Sequence, residues 1–204
     1  MMAIDADKLK QKYYTAERIN MRKNIGAKSI LYPMPVLIIG TYDADGMPNA
    51  MNAAWGGISE ENEISVCVSD DHKTTENFLA TGCFTVSIAD AKNTVAADYV
   101  GIVSGYSEDK IAKCGWTVVK SENVSAPIFK ELPMALECKV KSYDKDSCRL
   151  VGEIVDISVD EEIMTGGKID LNKFKPITYD PSSHSYLTLG DVVGRAFSDG
   201  KKLT

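Results

Sequence analysis

The sequence predicts a mainly β, α+β fold: about six antiparallel strands with short helices inserted between them, closing or nearly closing into a small barrel. Three observations predict it. Apolar or alternating runs of strand length recur along the chain. Two pairs of runs are joined by short polar turns, as in hairpins. Stretches with helical spacing are short and do not alternate regularly with strands, which disfavours a doubly wound parallel sheet.

In chain order, residues 3–22 are charged, with Leu9, Tyr13, Ala16 and Ile19 near helical spacing and Asp5 at an N-cap position. They read as an N-terminal arm, 1–25, with three readings open: packed on the barrel, packed on a partner subunit, or partly mobile. Pro33 and Pro35 hold the next stretch extended, because the ring fixes φ and biases the preceding residue. Residues 36–42 are apolar and β-branched, Asp43-Ala44-Asp45-Gly46 supplies turn chemistry, and the chain returns through 47–55 to make a hairpin. Residues 59–62 read as a polar turn. Residues 63–69 alternate, with Ile64, Val66 and Val68 on one face.

A short helix is expected from near Thr75, with Thr74 as N-cap and Gly82 as its stop. Residues 83–88 form the next strand. A helix over 91–103 is expected to face the core with Val95, Tyr99 and Val100 or Ile102. A loop, 104–110, enters another short helix ending at Cys114-Gly115. Residues 116–132 read as extended or irregular. Residues 133–143 and 148–159 make a second hairpin around Asp144-Lys145-Asp146. A polar segment, 160–175, precedes the tail.

At 204 residues the chain suits one domain with a substantial core. Net charge is −6, which argues against a broad nucleic-acid or anionic-membrane surface. No apolar run approaches the ~20 residues that span a bilayer, and residues 1–24 lack a secretory h-region, so a cytoplasmic location is expected. The five cysteines show no CxxC or Cys/His spacing, and two histidines are too few for a His-built metal site. No disulfide framework or metal site is expected.

Two places carry chemistry. The strand 47–55 holds small residues (Ala50, Ala53, Ala54), two amides (Asn49, Asn52) and Trp55. That surface suits a planar heterocycle with polar edges; it also suits a sheet edge with a core Trp. The junction after 63–69 starts a helix, whose free amides and dipole favour a phosphate, and Lys73, Thr74 and Thr75 add a charge and donors. The same pattern also fits an ordinary capped helix. Lys110, at the end of the Gly105-Tyr106 loop, is the other cation of interest.

Taken together, YPMPVLIIGTYDADGMPNAMNAAWGGI (32–58), KTTENFLATGCFTVSI (73–88), SGYSEDK (104–110), Leu136-Glu137-Cys138, Gly152-Glu153-Ile154 and the Gly194-Arg195-Ala196-Phe197 tail resemble the flavin reductase-like, FMN-binding split-barrel family, flavoredoxin-like branch. The resemblance implies a Greek-key split barrel over 26–204, with 1–25 outside it. It implies bound FMN and a homodimer with the flavin near the subunit interface. Asn49, Asn52, Ala53, Ala54 and Trp55 would line the isoalloxazine. Ser69, Lys73, Thr74 and Thr75 would hold the phosphate, with Asn77 supporting their loop. Lys110 would reach the flavin's polar edge, and Tyr186 and His184 would cover the site. Many relatives carry His just before the Gly-Glu-Ile strand, where this chain has Ser147 and Cys148. The function implied is an FMN-dependent oxidoreductase, fed by a nicotinamide or a small redox protein and passing electrons to a small acceptor. No catalytic side chain is required of it. Two other readings stay open: a flavin reductase using free flavin as a diffusible substrate, and a non-enzymatic module for flavin or another cofactor such as haem.

Overall fold

The computed structural model describes residues 22–203. The chain divides into two units, Met1–Ile30 and Leu31–Thr204. In the first, residues 22–30 carry neither helix nor strand. The arm helix expected over 3–22 lies, all but Arg22, outside the described residues.

The second unit runs through β1 (Met34–Pro35), β2 (Leu37–Tyr42), β3 (Pro48–Ala53), β4 (Gly56–Glu60) and β5 (Glu63–Cys67). The helix Lys73–Thr81, β6 (Cys83–Ile88) and the helices Thr94–Ile102 and Lys110–Cys114 follow. Then come β7 (Val118–Lys120), β8 (Pro127–Phe129), β9 (Met134–Asp144) and β10 (Arg149–Val159). The chain ends with β11 (Met164–Thr165), β12 (Lys168–Ile169), the helix Leu171–Phe174, β13 (Ile177–Asp180), β14 (Ser185–Thr188) and a final 3-10 turn, Asp199–Leu203.

Seven strands form one antiparallel sheet in the order β3-β2-β6-β9-β10-β5-β4. It curls, because alternate residues from both halves meet in one cluster: Leu37 and Ile39 of β2, Ile64 and Val66 of β5, Phe84 of β6, Leu136 of β9 and Leu150 of β10. This barrel interior follows from the period-2 alternation of those strands.

A second cluster covers the outer face of β2 and β3. Val36, Ile38 and Ala50 pack there against Ala97, Val100, Ile111, Trp116 and Phe129. Ile38 and Ile39 are therefore both fully buried, on opposite faces. This explains why residues 36–39 are apolar without alternation.

The sheet has one strand more than expected. β4 occupies residues 56–60, where the sequence suggested the end of a hairpin and a turn. Cys67 N donates to Trp55 O at 2.8 Å, and Gly56 pairs with Val66. A Cβ on Gly56 would stand 2.9 Å from Ser65 O and 3.1 Å from Leu37 Cδ1, so this crossing tolerates no side chain. β4 is an edge strand with nearly every residue exposed, so it shows no alternation to read.

Two further expectations are corrected and a third is refined. The first helix starts at Lys73, not Thr75, with His72 at the cap position and making no side-chain cap bond; Gly82 ends it in the left-handed region, as expected. The second helix faces the core with Tyr99 and Val100, as expected, and with Ala97, whereas Val95 and Ile102 are 85% and 74% exposed. Ala97 lies close against β3, where Asn52 Nδ2 donates to its carbonyl. Residues 116–132 contain the β7–β8 hairpin, whose strands are too short to show a period. Its turn is anchored by the buried Glu137, which accepts from Ser121 Oγ and from Asn123 N and Nδ2.

All five cysteines are free. Among the described residues no helix is long and apolar enough to cross a membrane.

Candidate functional site

A cleft of about 300 Å³ opens where β3, the start of the 73–81 helix, the segment 100–105 and Lys110 converge. Asn49 and Met51 come from β3, and Lys73 and Thr74 from the helix.

The helix start is built by the β5 exit loop. Thr75 Oγ1 donates to Ser69 O at 2.6 Å, tying the first turn to that loop. Thr75 N and Glu76 N bond His72 O at 2.9 and 3.2 Å. The amides of Lys73 and Thr74 come earlier in the helix and have no carbonyl of it to bond. Thr74 is not the cap. Its buried hydroxyl oxygen accepts from Asn49 Nδ2 at 2.9 Å, which joins the helix to the edge strand β3.

Lys73 Nζ lies 3.2 Å from Asp43 Oδ2. Asp43 belongs to the β2–β3 turn and accepts Met47 N at 2.8 Å and Asp45 N at 3.1 Å, the side-chain turn its sequence suggests. The Met47 amide, with Lys73 beside it, holds the Asp43 carboxyl below its ordinary range.

Lys110 begins the helix capped by Asp109, whose side chain accepts Ala112 N. It is only 4% exposed, and its Nζ donates to Val100 O at 3.1 Å. Burial pulls its ammonium down to about 8; Cys114 opposes this and Lys73 adds to it. The cleft is thus flanked by two cations close enough to feel each other.

Of the residues expected from the sequence, Asn49, Lys73, Thr74 and Lys110 line this cleft together. Ser69 and Thr75 stand behind it, bonded to each other. Asn52 and Tyr186 flank the 94–102 helix beside it: Asn52 holds Ala97 O, and Tyr186 Oη donates to Asp98 Oδ1 at 2.8 Å. Burial and then Asp98 push the Tyr186 phenol up to about 12. Ala53 packs in the barrel interior and Ala54 is half-buried. Trp55 is 58% exposed and does not line the cleft. Asn77 is buried and donates to Thr41 Oγ1 at 3.0 Å, while its own Oδ1 has no partner among the described residues. His184, in the β13–β14 turn, pairs its Nδ1 with Tyr179 Oη at 2.8 Å.

Sequence reasoning missed the wall formed by residues 100–105 and the rim residues Asp71 and His72. Gly101 and Gly105 were the available signal, since close packing of this segment onto β3 needs small residues. Among the described residues no group of three or more His, Cys, Asp or Glu side chains is placed to hold a metal.

Residues 29–188 match the family model described as flavin reductase like domain. The chain belongs to the flavin reductase-like family, in its flavoredoxin-like branch. It is similar to the flavoredoxin of Desulfovibrio vulgaris (Miyazaki F), with a TM-score of 0.85 and 39% identity over 88% of this chain and 100% of that one. The flavoredoxin from Methanosarcina acetivorans superimposes with a TM-score of 0.81 and 30% identity, over 90% and 100% of the two chains. A split barrel domain from Shewanella frigidimarina, at 23% identity and a TM-score of 0.70 over 89% and 96%, bears on the fold alone. The seven-stranded curled sheet is that split barrel.

Proposed function

We propose that this flavin reductase-like protein is an FMN-dependent oxidoreductase. It takes electrons or hydride from a reduced nicotinamide or a small redox protein and passes them to a small acceptor. The observation that carries this reading is the polar corner of the cleft, where buried Thr74 stands at a helix N-terminus with Lys73 and Lys110 alongside. Helix amides with no helical carbonyl to bond, a hydroxyl and the Lys73 ammonium suit a phosphate dianion. The likeness to two flavoredoxins supports a flavin as the group that carries it.

Bound FMN would supply the hydride and single-electron chemistry. Lys73 and Thr74 would hold its phosphate, with Ser69 and Thr75 fixing the turn beneath and Asn77 bracing the helix against β2. Asn49 would orient Thr74 at the phosphate, and Asn52 with the backbone of Ala53, Ala54 and Trp55 would face the ring system. Lys110 would bring positive charge to the polar edge of the ring and favour negative charge there. Tyr186 would cover the site from the tail hairpin.

The working unit in this proposal is a cytoplasmic homodimer with the flavin near the subunit interface. Exposed Trp55 and Ile58, 58% and 66% accessible, support a second copy at the β4 edge. A second reading, in which flavin is a diffusible substrate, draws on the same exposure: a ring lying against Trp55 has one open face.

A visible absorption spectrum of freshly purified protein, followed by titration with FMN in the dark and turnover with NADH or NADPH, tests the proposal. Retained flavin bands with turnover support the bound-cofactor enzyme. Turnover only with added flavin supports the diffusible-substrate reading. Absence of bands, binding and turnover overturns both and leaves a module for another ligand.

A further inference from the structure

The segment 101–105 lies against β3 at two glycines. A Cβ on Gly101 would stand 3.0 Å from Asn52 Cβ. A Cβ on Gly105 would run into Asn49 Oδ1 and stand 3.1 Å from Asn49 Cγ and 3.3 Å from Lys73 Cδ. Neither glycine has the positive φ that would itself require glycine. Space alone excludes a side chain here, and at Gly105 the atoms in the way belong to cleft residues.

Asn49 has little freedom to yield. It is 5% exposed, and its Nδ2 donates to Thr74 Oγ1, itself on a residue 2% exposed. A methyl group at 105 would turn the Asn49 amide away and break that bond. The bond has a direction that matters. A hydroxyl that accepts from an amide keeps its own proton to donate. Among the described residues the Thr74 proton has no acceptor, although the group is buried and lines the cleft.

We infer that Gly105 is a positioning residue: by presenting no side chain it holds the Asn49 amide against Thr74, and so commits the Thr74 hydroxyl to donate to an anionic oxygen in the cleft. The inference rests on the flavin reading and makes that corner selective for the phosphate of FMN over the free alcohol of riboflavin. A phosphate oxygen only accepts and carries charge, so a fixed donor gains more from it.

The experiment titrates FMN and riboflavin, by flavin fluorescence quenching, into the wild-type protein, Gly105→Ala, Asn49→Ala and the double variant, with thermal melts alongside. Wild type should prefer FMN. Gly105→Ala should lose roughly tenfold in FMN affinity, the worth of one charge-assisted bond, with little change for riboflavin. The double variant should bind FMN no more weakly than Asn49→Ala alone, because alanine at 49 removes the atoms that the new methyl strikes. An unchanged FMN-to-riboflavin ratio in Gly105→Ala, or fully additive losses in the double variant, overturns the inference while leaving the flavin reading intact. If Gly105→Ala does not fold, Asn49→Ala and Thr74→Val decide: both must lose the FMN preference, and retention by either overturns the inference. Failure of wild type to bind FMN overturns the flavin reading, and this inference with it.

Discussion

Lys110 Nζ donates to Val100 O at 3.1 Å, so a nearly buried ammonium is held against the wall of the cleft by a single backbone carbonyl. Burial lowers its pKa to about 8 from 10.5. The protonated form is therefore disfavoured by folding. That penalty is fully present below about pH 8 and is relieved as pH rises from there to the unfolded value near 10.5. An anion in the cleft would favour the charged form. FMN affinity should therefore fall as pH rises through about 8, with proton uptake on binding. Lys110→Met should flatten this profile in fluorescence titrations; a profile identical to wild type would remove Lys110 from the site.

Glu137 and Ser121 are buried beneath the turn of the β7–β8 hairpin, where exposed Asn123 also bonds Glu137, and none of the three lines the cleft. Glu137→Ala leaves the buried Ser121 hydroxyl without its acceptor, while Asn123 keeps Asp156, and should cost about 1–3 kcal/mol in urea denaturation. FMN affinity of the folded variant should stay within twofold of wild type, roughly 0.4 kcal/mol. A large binding loss would mean that the hairpin reaches the site.

Gly152 lies at the irregular step in the β9–β10 pairing, where a Cβ would stand 2.8 Å from Phe84 Cε1 and 3.3 Å from Cys138 Cβ. Gly152→Ala should destabilise by about 1–3 kcal/mol through overpacking of the barrel interior. Thermal melts check this, and an unchanged Tm would show that Phe84 has room to move.

The exposed β4 edge leads to a prediction about assembly. Light scattering should give twice the 22.3 kDa chain mass. Ile58→Asp, a charge on the exposed edge, should shift the population to the single chain without unfolding it. A dimer unaffected by this change would place the interface elsewhere.

The elements legible in the sequence bury one face or carry a stop signal: the β2–β3 hairpin, β5, β6, the β9–β10 hairpin and the helix ended by Gly82. The corner formed by Lys73 and Thr74 was legible because a strand ends where a helix begins. The rest was hidden for physical reasons. β4 buries no face, so its residues carry no alternation. The 94–102 helix meets β3 through Ala97, a small residue, while its larger Val95 and Ile102 point outward. The cleft wall is contributed in part by Gly101, Gly105 and the backbone of Val100, and backbone has no signature in a sequence.

β2 is paired on both edges, to β3 and β6, and buried on both faces. Its amides should be among the last in the protein to exchange with deuterium, since only near-global unfolding exposes them. The cleft floor is carried by β3, directly hydrogen-bonded to that slowest strand. The facing wall is a surface segment in which Ile102 is 74% exposed. Breathing of the site should therefore be one-sided, with the amides of 101–105 exchanging well before those of β2.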